Sequence, residues 1–113
     1  MAKKLIDTQT GEEALRNLET QTPTAVRFLL QRIEKDHPGH SVELRIPPYG
    51  AIQCIAGLNH RRGTPPNVVE MPTEVFIRIC LGELSLEAAE AAGSVLVSGV
   101  LAKELTDIFP LEI

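Results

Sequence analysis

The chain has 113 residues and a mass of 12.4 kDa, enough to bury roughly 65% of its unfolded surface without disulfides or a structural metal, and too short for a multidomain enzyme. Its composition, 43% hydrophobic and 23% charged, is that of a folding globular domain and excludes wholesale disorder. The net charge of −4 is unevenly spread: residues 1–63 hold nine Lys/Arg against seven Asp/Glu, and residues 64–113 hold two against eight. An acidic second half with no Trp and one Tyr offers neither phosphate contacts nor a stacking platform, so nucleic acid is not an expected partner.

In chain order, Thr10 and Glu13 have the spacing of a capping box and predict a first helix carrying Ala14, Leu15 and Leu18. Thr22-Pro23 predicts a second start, because proline loses nothing at the first helical position. Val26, Leu29, Leu30 and Ile33 then form an inward stripe that ends at Pro38-Gly39. Two helices joined near residue 21 are therefore expected. The period changes to two at Val42, Leu44 and Ile46, which alternate with Glu43 and Arg45, so a strand with one wet face follows. Pro47-Pro48-Tyr49-Gly50 turns the chain into a second strand over 51–56, an antiparallel hairpin. Residues 60–67 read as a loop and 67–71 as a third strand.

A helix from Pro72 to Leu81 has only Glu74 and Arg78 polar in its body, spaced i to i+4 as a surface pair. It is therefore expected to be buried nearly all round. Ser85 caps a short alanine-rich helix, residues 94–99 form a fourth strand apolar on both faces, and Leu101, Leu105 and Ile108 stripe a last helix stopped by Pro110. The predicted architecture is α+β: two layers, a sheet of four or five strands covered on one face by helices. One domain spans residues 1–113, with a helical pair in 1–39 and the sheet with its covering helices in 41–113.

Chemistry is sparse. His37, His40 and His60 lack metal-ligand spacing, no phosphate-cradling glycine loop precedes a helix, and Ser85 and Ser94 lack a nucleophile elbow. No catalytic residue, metal site or cofactor is expected, and the chain does not read as an enzyme. Cys54 and Cys80 read as reduced, buried thiols. No apolar run is long enough for a membrane span or a secretory signal, which predicts a cytoplasmic protein. Arg61-Arg62 is the one basic cluster.

The order Val68-Val69-Glu70-Met71, a helix built on Phe76, Gly82-Glu83-Leu84-Ser85, an alanine-rich helix and Gly93-Ser94-Val95-Leu96-Val97-Ser98-Gly99 resembles the sterol carrier protein type 2 superfamily. The hairpin Val42 to Gln53 and the loop Arg62 to Asn67 resemble its stand-alone actinobacterial branch more closely. Pro72 departs from the aspartate that caps the central helix in relatives. The resemblance implies a curved, mostly antiparallel sheet, with a fifth strand near 57–62, and an apolar tunnel for a fatty acid, fatty acyl-CoA or similar ligand, sterol being the least expected. The tunnel positions it implies are Val69, Phe76, Ile79, Cys80, Val97, Leu105 and Phe109, with Arg61 and Arg62 as head-group contacts. The alternative is a protein-interaction or self-assembly module, in the simplest case a homodimer, with a fully packed core and no ligand.

Overall fold

The computed structural model describes residues 5–57 and 67–113. The first helix, α1, is Thr8–Arg16 and is capped by Asp7 instead of by the Thr10–Glu13 box: Thr10 donates its backbone N–H (2.8 Å) and its hydroxyl (3.0 Å) to the Asp7 carboxylate. These hydrogen bonds to the charged form lower the Asp7 pKa. Two capping frames three residues apart compete here, and the carboxylate, the stronger acceptor, wins.

The second helix, α2, is Leu18–Asp36, and Gln21 inside it leaves helical geometry at φ −126°, ψ 28°. This is where the sequence predicts a join. Thr22 is not the cap, however, since its hydroxyl donates back to the Leu18 carbonyl. Pro23 has no N–H to continue the ladder, which accounts for an interruption at this point. Helix α1 lies on α2, with Gly11 against the ring of Phe28, so close that an added Cβ would fall 2.2 Å from ring carbons. The Arg32 guanidinium lies 5.8 Å from the centroid of the same ring.

Strands β1 (Val42–Ile46) and β2 (Gly50–Cys54) pair antiparallel from Val42 with Cys54 to Ile46 with Gly50, as the hairpin reading requires. Strand β3 (Asn67–Glu70) lies parallel to β1. Beyond it β4 (Leu96–Ser98) is antiparallel to β3, so the sheet order is β2-β1-β3-β4. The described residues thus form four strands with two antiparallel pairs around a parallel centre. The fifth strand expected near 57–62 falls mainly outside the described residues.

Between β3 and β4 run α3 (Thr73–Cys80) and α4 (Leu86–Ala91), the latter capped by Ser85, whose Oγ accepts from the Ala88 N–H at 3.0 Å. The chain closes with a 3-10 helix, Leu101–Ile108. Its period of three places Ala102 and Leu105, both buried, and the half-buried Ile108 along one side.

Alternation sorts the sheet into two faces. Val42, Leu44, Ile46, Ile52, Cys54 and Val69 are buried in a core shared with Val26, Leu29, Leu30 and Ile33 of α2 and with α3. The other face carries Glu43, Arg45, Gln53 and Glu70, and Arg45 is ion-paired with Glu43. Two expectations are corrected here. The fourth strand is not apolar-buried on both faces: Leu96 is 68% exposed, because its register partner is Glu70 on the open face. Nor is α3 closed except at its surface pair: Glu74 and Arg78 are exposed as expected, but Leu81 at its C-terminal end joins them, 41% accessible. Among the described residues, no ion pair joins Glu74 to Arg78.

Candidate functional site

Helical spacing in α3 directs Phe76, Ile79 and Cys80 to one side, and the pleat of the sheet directs Val69 and Val97, which are register partners, to the face beneath them. Leu105 enters from the 3-10 helix and Phe109 from the residue after it. All seven join one apolar cluster. Val69, Phe76, Ile79, Cys80 and Leu105 are fully buried, and Val97 and Phe109 are half-buried. Arg61 and Arg62 lie outside the described residues.

The C-terminal segment that closes this layer is tethered at three points. The Leu101 N–H donates to Oδ1 of Asn67 at 3.0 Å, while the Asn67 amide donates to the Ser41 carbonyl at 2.8 Å. Both halves of that buried side chain are therefore satisfied, which burial demands of an amide. The Leu111 N–H donates to the carbonyl of Cys80, and Arg32 Nη1 to that of Glu112, each at 2.9 Å.

Burial pushes the Cys54 thiol up to about 11, with the Glu34 carboxylate adding to the rise, and raises Cys80 further still. Neither thiol is a nucleophile at neutral pH. At pH 8 an aromatic disulfide reagent is expected to label neither cysteine of the folded protein within minutes, and both once urea unfolds it. Rapid labelling of either native thiol would contradict the packing described.

Two clefts lie on the other side of α3 and α2, and none of the seven residues borders them. One, of about 280 Å³, lies between the N-terminal strap Leu5-Ile6, the α2 side chains Arg27, Leu30 and Gln31, and strand β2 at Gly50 to Ile52. Gln31 fixes the strap by accepting from the Ile6 N–H at 2.9 Å and donating to the Ile6 carbonyl at 2.8 Å. The second cleft, of about 590 Å³, runs between Leu18 and Thr22 of α2, Pro48, and the exposed face of α3 with Ile77, Arg78 and Leu81. Tyr49 borders both. Sequence reasoning missed these residues. The available signal was Leu81, which lies at i+7 from Glu74 and i+3 from Arg78 and so extends their polar face with an apolar residue.

Among the described residues, no three His, Cys, Asp or Glu side chains are grouped as metal ligands. No helix there is long and apolar enough to cross a membrane.

The family described as bacterial SCP ortholog matches residues 19–111. The chain belongs to this bacterial sterol carrier protein (SCP) family. The SCP segment takes in α2 from its second residue, the whole described sheet, α3, α4 and the 3-10 helix, and so contains all seven apolar positions. Helix α1 and the Leu5-Ile6 strap precede it. No curated protein matches the SCP chain.

Proposed function

We propose that this SCP-family protein is a non-enzymatic binder and carrier of a lipid-like apolar ligand, a fatty acid, fatty acyl-CoA or similar molecule. The ligand is received in the layer lined by Val69, Phe76, Ile79, Cys80, Val97, Leu105 and Phe109. The observation that carries this reading is the convergence of those seven side chains, all within the SCP segment, beneath a short helix held by a few hydrogen bonds. Burying each acyl methylene yields about 0.8 kcal/mol, and each tethering hydrogen bond is worth about 1 kcal/mol. A few methylenes therefore outweigh a tether, and the ligand makes room by lifting the C-terminal segment.

Mass spectrometry of an organic-solvent extract of the purified protein, set against an unrelated protein prepared identically, is expected to find a stoichiometric acyl lipid. Phe109→Ala, at a half-buried position, is expected to weaken uptake of a fluorescent fatty acid about tenfold. Unchanged affinity in that variant would remove Phe109 from the lining, and no lipid in the extract with no uptake of probe would end the carrier reading.

A second reading rests on the edge at β4, where Leu96 is 68% and Val100 87% exposed. Apolar side chains beside a strand edge that has no partner among the described residues favour self-association. Sedimentation showing a monomer mass independent of concentration would dismiss it.

A further inference from the structure

We propose that the exposed face of α3 and the cleft of about 590 Å³ beside it form a two-fold interface with a second copy of this chain, the two α3 helices antiparallel and each Leu81 seated in the other copy's cleft. The proposal goes beyond the lipid reading, since this face lies on the opposite side of α3 from Phe76, Ile79 and Cys80, and it places self-association away from the β4 edge. Shape, charge and register lead to it.

The face carries both a knob and a recess. Thr73, the first residue of α3, donates its hydroxyl to the Pro47 carbonyl at 3.5 Å, which sets the turn at Pro48 and Tyr49 against the N-terminal end of the helix, where it walls the cleft. Leu81, at the C-terminal end, is a large apolar side chain 41% exposed, and Leu18 and Ile77 add apolar wall. A contact between identical copies about a two-fold axis requires one surface that fits itself.

The charges in the same cleft are also complementary to themselves. Glu74, Arg78 and Glu83 line it and are all exposed. None of the three has a side-chain hydrogen bond or an ion pair among the described residues, although Glu74 and Arg78 stand at i and i+4. Thr22 and Thr73, by contrast, spend their hydroxyls on the carbonyls of Leu18 and Pro47. What the cleft offers is therefore apolar surface and unengaged charge of both signs. A purely cationic or purely anionic partner satisfies one sign only. A second copy turned through half a rotation satisfies both, because each Arg78 then meets the partner's Glu74.

The register agrees. At about 1.5 Å per residue, an antiparallel pair centred on Ile77 brings Leu81 level with the partner's Thr73, at the end of the cleft that Pro48 and Tyr49 wall. The same pairing leaves Arg78 about 3 Å along the axis from the partner's Glu74, within the reach of the two side chains. Glu83 stands beyond the helix end, at the rim, in water.

The test is sedimentation equilibrium of the full chain over a range of concentrations at low salt, for the wild type, Leu81→Glu, Leu96→Glu, Arg78→Glu and the double variant Glu74→Arg with Arg78→Glu. The substituted side chains are all exposed, and a thermal melt of each variant verifies that it folds. The wild type is expected to dimerise reversibly, Leu81→Glu and Arg78→Glu to weaken the dimer at least tenfold, and Leu96→Glu to change it less than twofold. The double variant is expected to recover most of the loss, because exchanging the two charges restores the pair across the axis, which a change that merely damaged the surface would not do. A monomer mass at every concentration would overturn the proposal and leave the lipid reading standing. A dimer that Leu96→Glu dissociates and Leu81→Glu does not would overturn it in favour of the β4 edge. A dimer weakened by Arg78→Glu that the double variant fails to restore would overturn the antiparallel pairing.

Discussion

Phe76→Ala is expected to lower the free energy of unfolding by about 3–5 kcal/mol, the range for removing a fully buried aromatic ring. Phe76 is the largest wholly buried side chain, at mid-helix in α3, facing the layer between the sheet and the 3-10 helix. Collapse around the vacated volume is restricted from two sides. Leu111 is hydrogen-bonded to the carbonyl of Cys80 at the end of the same helix, and Leu101 is held by Asn67. Both bonds would have to break for the 3-10 helix to follow the receding surface. Urea titration should show the midpoint falling with an unchanged slope. Domains of this size have total stabilities of about 5–15 kcal/mol, so Phe76→Leu, expected to cost about 1–2 kcal/mol, provides the folded counterpart. A loss below about 1 kcal/mol for Phe76→Ala would mean that the ring already faces open space.

Gly39→Ala is expected to cost about 3 kcal/mol or more, placing it among the severe single substitutions. Gly39 has φ +152°, outside the range that side-chain-bearing residues favour, and a Cβ added there would lie 2.1 Å from the carbonyl oxygen of Ile55 and 2.3 Å from its carbon. Those are backbone atoms, and they cannot swing aside. The Ile55 carbonyl accepts from the Ser41 N–H at 3.1 Å, and its N–H donates to the His37 carbonyl at 2.8 Å, which binds the exit of α2 to the end of β2. The comparison is Gly93→Ala, at φ +79° with nothing within 4 Å of the added carbon, where only the backbone conformation is strained and about 1 kcal/mol is expected. Parallel thermal melts separate the two. Equal losses at both positions would refute the steric argument.

Local patterns carried much of the architecture. The alternation Val42, Leu44, Ile46 and the turn at Pro47-Pro48 give the hairpin in its observed frame, and Ser85 caps α4 where its hydroxyl predicts. What escaped was whatever depends on a distant neighbour. Leu96 reads as a core residue until its register with Glu70 is known, and Leu81 until the position of α2 across from α3 is known. The parallel pairing of β1 with β3 belongs to the same class, because no feature within either strand records the direction of its partner. For the candidate site, the seven apolar positions came from the family resemblance and not from any local pattern, and the structure places them in one apolar cluster. The clefts around Tyr49 were hidden because empty volume is set by what several elements together leave unfilled.

Helix α1 has a consequence for where this domain can be cut. The family segment begins at residue 19, one residue into α2, yet Phe28 is only 2% exposed because Gly11 lies against one part of its ring and Arg32 close by. Ala14 of α1 and Ala25 of α2 are wholly buried as well. A chain started at residue 19 would present the Phe28 ring to water and would lose the strap that Gln31 clasps. The stretch by which relatives are recognised is therefore shorter than the stretch that shields its own apolar surface, and an expression boundary drawn at the edge of the homology would bisect a packed helical hairpin.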